Sequence, residues 1–353
     1  MSDRLARARP VEVLESFGPP HERTNPYSVQ LFAAFPDRVH AHHFSWRSAL
    51  KGDYEVFHLH WPEVKVRGTT PLRSFVRGTL FLLLLVRIRL GRRALVRTLH
   101  DLTPHEAPNR LQRWVIGLSE RWTTLWITLN RSTRPPTTAP ERFAPIGNFV
   151  GWFPPTSEVT PVRGRLLHFG LVRRYKGVET LIDEFRTIDD RGLELRVVGA
   201  IHEPMLAQQI ARASETDARI TAVDAYVSDE QLRDEILASE LVVLPFAQIT
   251  NSSSLLVALS LGRPVLAPAA PSILEVAQEV GDGWVHIYEG ELQADHITAA
   301  IRAVRAAVGA GAPDLSARDW TIIGELHADA FAEARDLAAR RPRRGARNQR
   351  SSP

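Results

Sequence analysis

The chain reads as an α/β protein made of two Rossmann-like units in succession, and three observations predict this. Short aliphatic and β-branched runs alternate with helical patterns along nearly the whole length, the signature of parallel sheets wrapped by helices. At 353 residues the chain is long for one domain and sufficient for two, each with a core of its own. Charge divides in the same way. Residues 1–150 hold 22 Lys and Arg against 12 Asp and Glu, whereas residues 151–339 hold 16 against 28. A basic half joined to an acidic half suggests two domains with different partners.

In the first half, strands are expected over 11–17, 39–44, 56–59, 95–99 and 125–128, with a further short one near 144–146. In the second half they fall at 165–169, 193–198, 220–223, 241–244 and 264–267, with a last one near 284–287. Helices fit between them over 71–90, 111–120, 177–187, 204–213, 229–239, 253–260 and 297–307. Each connection is long enough for the crossover that parallel strands need. The stretch 151–162, with Pro154, Pro155 and Pro161, reads as a linker. The expected division is therefore a first domain over 10–153, a second over 162–315, a long last helix over 316–340 and a basic tail over 341–353. That tail, six arginines when counted from residue 340 and almost no apolar residues, is expected to be disordered.

Composition excludes several chemistries. With no cysteine there is no disulfide, thiolate metal site or cysteine nucleophile, which suits a reducing, cytoplasmic compartment. The opening MSDRLARARPVEV has no apolar core of a secretory signal. The longest uncharged apolar run, Leu80 to Val86, is far short of the roughly 20 residues a spanning helix needs.

Two segments carry anion-binding chemistry. In Phe169-Gly170-Leu171-Val172-Arg173-Arg174-Tyr175-Lys176-Gly177 a strand ends at a glycine, a short loop brings cations, and a helix follows. A helix start offers unpaired N–H groups, and Arg173 with Lys176 adds a fork and a point charge suited to a diphosphate. In Gln248-Ile249-Thr250-Asn251-Ser252-Ser253-Ser254, hydroxyl and amide groups crowd before an apolar helix where one cap would suffice. Their place at the carboxyl end of a strand suits a ligand. The plain alternatives are a solvated basic loop and an ordinary helix cap.

The order FG-x-x-R-x-Y-K-G, a VVG strand, YVSDEQL, then LPF…NSSSLLVALSLGRPVLAP resembles the donor domain of GT-B glycosyltransferases, particularly family 4. The resemblance covers roughly residues 165–268. It implies two facing Rossmann-like domains, a C-terminal helix crossing back to the first, and transfer of a hexose from a UDP- or GDP-sugar to a carbohydrate or lipid-linked glycan. It also implies that Arg173 and Lys176 bind the donor diphosphate, that Tyr226, Val227 and Ser228 line the base pocket, and that Asn251, Ser252, Ser253 and Ser254 hold the distal phosphate. One departure stands out. The two glutamates usual in family 4 align with Ile249 and Val257, and neither is acidic. In this the chain resembles divergent bacterial exopolysaccharide transferases, some of them family 94-like mannosyltransferases. A catalytically inactive relative that only binds nucleotide or scaffolds a complex is the alternative. No nucleic acid is expected as a partner.

In the first half, His58-Leu59-His60-Trp61-Pro62-Glu63 and Thr98-Leu99-His100-Asp101 end two strands. The second segment resembles the His-Asp turn of GT-B enzymes, which implies that His100 contacts the donor sugar. Glu63 or Asp101 is a candidate general base, since a carboxylate can take the acceptor hydroxyl proton. Histidines that close strands also commonly just satisfy the local backbone. A metal reading of His40, His42, His43, His58 and His60 lacks a supporting acidic ligand of clear spacing, so no metal and no cofactor beyond the donor is expected. Finally, 72–93 is apolar in its middle and flanked by six arginines. It suits either a buried helix or one lying on an anionic membrane face, and the basic tail would add attraction there.

Overall fold

In a computed structural model of the chain the described residues are 9–22, 24–100, 109–156, 158–247, 249–307 and 311–341. Two compact units result, divided between Gly147 and Asn148, with the chain returning to the first unit at Arg318.

The first unit contains β1 (Val11–Glu15), α1 (Pro26–Ala33), β2 (Val39–His42), α2 (Trp46–Lys51), β3 (Val56–Leu59), α3 (Pro62–Val66), α4 (Pro71–Leu90), β4 (Ala94–Leu99), α5 (Arg110–Trp122), β5 (Leu125–Thr128) and β6 (Glu141–Phe143). Its six strands are all parallel, in the order β2-β1-β3-β4-β5-β6. Strands β3, β4 and β5 are buried along their whole length, because helices cover both faces. Period-two alternation sorts the side chains. Leu14, Phe57 and Leu95 face Phe81, Leu84, Leu85 and Ile88 of α4. Val13, Val56 and Val96 face the opposite layer.

The second unit contains β7 (Arg165–Phe169), α6 (Val178–Thr187), β8 (Glu194–Val198), α7 (Pro204–Thr216), β9 (Ile220–Val223), α8 (Asp229–Ala238), β10 (Leu241–Val243), α9 (Ser253–Ser260), β11 (Val265–Pro268), α10 (Pro271–Val280), β12 (Val285–Tyr288) and α11 (Ala294–Ala306). Its parallel order is β12-β11-β10-β7-β8-β9, so strand order reverses between β7 and β10. The last helix, α12 (Trp320–Ala339), lies in the first unit, where Ala328, Phe331, Ala334 and Ala338 complete the layer against Val13, Val56 and Val96.

Several elements differ from expectation. The strand expected near 144–146 sits earlier, at β6, where Trp126 pairs with Glu141 and Thr128 with Phe143. Pro145 has no N–H to give a ladder, so the expected position could not pair fully. Helices α1, α2, α3 and α10 had no forecast. The first three are short and carry too few turns for periodicity to show, although Asn25 and Ser45 cap α1 and α2. The last helix starts at Trp320 behind the Asp319 cap rather than at 316, a 3₁₀ turn occupying Ser316–Arg318. The stretch 151–162 belongs to the second unit. There the Trp152 Nε1–H donates to Asp229 and Arg233 donates to the Pro154 carbonyl. The tail beyond residue 341 lies outside the described residues.

Candidate active site

In open α/β sheets ligands gather beyond the carboxyl ends of strands where the strand order reverses. In the second unit that place lies between β7 and β10. After β7 the chain turns at Gly170, whose φ of +97° favours glycine. A 3₁₀ turn, Arg174–Lys176, then leads through Gly177 (φ +70°) into α6. Gly177 lies against the Pro245 carbonyl, at the spot a Cβ would need, and the Ala247 N–H donates to the Tyr175 carbonyl at 3.0 Å. The loop after β7 is thus seated on the loop after β10.

That seating brings Lys176 to Ser254. A Cβ on Gly170 would lie 3.3 Å from Lys176 Nζ and 3.7 Å from Ser254 Oγ, so all three converge on one point. Desolvation, and then the nearby Arg173 guanidinium, pull Lys176 down to about 8. Among the described residues neither Lys176 nor Arg173 has a carboxylate partner, whereas Arg174 next door pairs with Glu179 at 2.8 Å and Glu203 at 3.2 Å. Two adjacent cations with no counter-charge, one of them largely desolvated, make a site whose electrostatics call for an anion. Behind them the His168 Nδ1–H donates to the Val243 carbonyl. Burial, then the Lys176 charge, hold His168 neutral, down to about 4.

The remaining expected donor residues are nearby in sequence but differently employed. Ser252 caps α9 by accepting from the Leu255 N–H at 3.0 Å. Ser253 is exposed, while Asn251 and Ser254 are half-buried. The Ser228 hydroxyl accepts from the Gln231 N–H in a capping box, which leaves it little for a base. Tyr226 is 62% exposed beside half-buried Val227.

In the first unit the strand order turns between β1 and β3, and a polar cluster occupies that place. Glu15, at the end of β1, is in register with His58 on β3. Both are fully buried, as is the His60 side chain. His58 Nδ1 is 2.9 Å from Glu15 Oε1, and His60 Nε2 is 3.1 Å from Oε2. His58 Nε2 meets Thr98 Oγ1 at 2.8 Å, and His60 Nδ1 meets His100 Nε2 at 3.0 Å. The His100 ring stacks on Trp61 with centroids 4.2 Å apart and meets the Tyr27 ring edge-on at 5.3 Å. Burial drives His58 and His100 down to about 3 and His60 well below its usual range; it raises Glu15 against the pull of His60.

Glu63 stands in the first turn of α3, half-buried; burial pulls the Arg97 guanidinium down to about 10, and the charges of Glu120 and then Glu63 oppose that. Asp101 lies outside the described residues. The five histidines of the metal reading separate into groups. His40 and His42 bond Glu12 at 3.2 and 2.9 Å, His43 stacks on Phe32, and only His58 and His60 join Glu15. Their ligand atoms lie within 4.8 Å of one another, close enough to hold an ion. The acid that the spacing lacked is Glu15, which sequence reasoning missed. Its one signal is that Glu15 follows Leu14 on the strand VEVLE, one of two glutamates among three apolar residues.

Residues 163–306 match the family described as Glycosyl transferases group 1. A GDP-mannose:glycolipid 4-beta-D-mannosyltransferase of Xanthomonas campestris pv. campestris is 44% identical over 333 residues, covering 94% of this chain and 95% of that protein. The chain belongs to the group 1 glycosyl transferases. It is accordingly a hexosyltransferase that uses a nucleotide-diphosphate sugar. Solved structures agree on the fold. HepE of Anabaena, in complex with UDP, matches with a TM-score of 0.56 at 15% identity, over 94% of this chain and 98% of that one. The catalytic domain of starch synthase IV from Arabidopsis thaliana, bound to ADP and acarbose, matches with a TM-score of 0.62 at 8% identity, over 95% and 100%. The fold of this glycosyltransferase is therefore GT-B.

Proposed function

We propose that this glycosyltransferase moves mannose from GDP-mannose to a hydroxyl of a glycolipid, forming a β-linkage during polysaccharide or glycoconjugate synthesis. The observation that carries the reading is the uncompensated pair Arg173 and Lys176 at the strand-order reversal of the second unit. Paired with the Ser254 hydroxyl, these cations bind the donor diphosphate and stabilise the charge that develops on it as it leaves. Asn251, Ser252 and Ser253 complete the cradle, and Tyr226, Val227 and Ser228 border the base. Neither a metal nor a further cofactor takes part. The choice of GDP and mannose rests on the curated relative's name.

A β-product from an α-linked donor requires attack opposite the leaving diphosphate, so a base must take the acceptor proton. The absence of acid at Ile249 and at Val257, which is buried in α9, fits a route without the acidic pair of family 4. The acceptor is lipid-linked, and α4 supplies the membrane contact. Its inner face is buried, while Leu72 (72% exposed), Phe75, Val76, Leu83 and Leu90 face outward, joined by Trp114 of α5. No described helix is long and apolar enough to cross a membrane. The enzyme works at the cytoplasmic face, its arginines against anionic headgroups.

Mass spectrometry of products tests this, with GDP-mannose and a panel of UDP-sugars offered alongside a polyprenyl-diphosphate oligosaccharide. Mannose transfer is expected. Arg173→Ala and Lys176→Ala should each lower kcat/KM by about 10²–10³-fold, with Arg174→Ala near wild type. Absence of mannosyl product, or full activity of both variants, refutes the reading.

A further inference from the structure

The first unit buries a chain of five polar side chains that a fold alone does not require. Its protons can be placed from the partners. Glu15 offers one oxygen to each of two imidazoles, so as a carboxylate it accepts from His58 Nδ1–H and His60 Nε2–H. His58 Nε2 then accepts from the Thr98 hydroxyl, and His60 Nδ1 accepts from His100 Nε2–H. His100 is left in one tautomer, with Nδ1 as its lone-pair nitrogen. Every ring in the series is oriented by the one before it, and only the outermost, His100, is incompletely buried.

We infer that this series is a proton relay in which His100 is the catalytic base for the acceptor hydroxyl and Glu15 and His60 are positioning residues. The inference rests on the transferase reading. As the acceptor oxygen forms its bond to the anomeric carbon, the bond from that carbon to the diphosphate breaks, and the diphosphate leaves with the electron pair. The hydroxyl proton passes to His100 Nδ1, and the Nε2 proton of His100 passes to His60 Nδ1. The positive charge thus shared by His100 and His60 faces Glu15, which His60 meets at 3.1 Å, and a low dielectric strengthens that attraction. The proton returns to solvent by the reverse path after product release. Glu63, placed beside Arg97, is not needed as base.

The groups facing the relay are Tyr27 from α1, Thr98 from β4 and His327 from α12, whose ring centre is 5.7 Å from that of His58; His43 lies beyond Phe17. Burial holds His327 neutral, near 3, so it brings no positive charge to the series. Burial raises Glu15, and the hydrogen bond and charge of His60 pull it back.

The test uses the full chain, with transfer rate measured and GDP binding followed by calorimetry. Glu15→Gln presents an amide N–H to one imidazole and reverses its tautomer. Turnover should fall about 10²–10⁴-fold, and GDP affinity should stay within about twofold. His100→Ala, at a partly exposed position, guards against misfolding of the first variant. Its turnover should fall over the same range and recover in part with added imidazole. Wild-type turnover in either variant, or no recovery of His100→Ala with imidazole, overturns the relay. So does a stoichiometric transition metal on Glu15, His58 and His60 in the purified protein. A wild-type chain that transfers no sugar from any donor instead removes the transferase reading itself, so the two failures are distinguishable.

Discussion

Lys176 offers the sharpest test of the phosphate site, because its ammonium is both functional and titratable within reach. Desolvation and the Arg173 charge bring it to about 8, against 10.5 for a free lysine. Bound diphosphate needs the charged form, so the ligand raises the pKa of this group. Donor affinity is therefore fully present below pH 8 and is lost as pH rises through it. Between pH 7 and 9 the protonated fraction falls from about 90% to about 10%, which weakens GDP binding by about tenfold, or about 1.4 kcal/mol. Calorimetry with GDP across this range measures it, the terminal phosphate of the ligand being ionised throughout most of the span. Lys176→Met should bind more weakly and stay nearly flat, which also cancels any titration of the ligand itself. A flat wild-type profile, or a fall that survives in Lys176→Met, refutes the reasoning.

Gly170→Ala places a methyl group 3.3 Å from Lys176 Nζ at a φ of +97°. Stability should drop by about 1–2 kcal/mol, and GDP affinity should drop with it; ordinary GDP affinity would show that the cations converge on no ligand. On the exposed faces of α4 and α5, Leu72→Ser, Phe75→Ser and Trp114→Ser combined remove side chains that would each contribute roughly 1.5–3 kcal/mol if fully buried in lipid, so affinity for anionic vesicles should fall at least about 30-fold. Transfer to a water-soluble acceptor analogue should be unchanged, and undiminished sedimentation with vesicles would remove α4 from the membrane contact.

Much of this enzyme was legible along the chain. Alternation of apolar strands and helices is a local property, which is why α4 and α9 stand where periodicity and caps put them, at Pro71–Leu90 and Ser253–Ser260. The basic loop Arg173–Lys176 could be read from its glycines and cations. Which cation faces an anion could not be. Arg174 and Lys176 look alike in sequence, and only the folded loop pairs one with Glu179 and Glu203 while tucking the other beneath Gly170 and Ser254. The Glu15 cluster shows the limit more plainly. Its members come from positions 15, 58, 60, 98 and 100, and no spacing connects them. Parallel pairing of β1, β3 and β4 brings them together, because the sheet aligns strand ends that lie some forty residues apart.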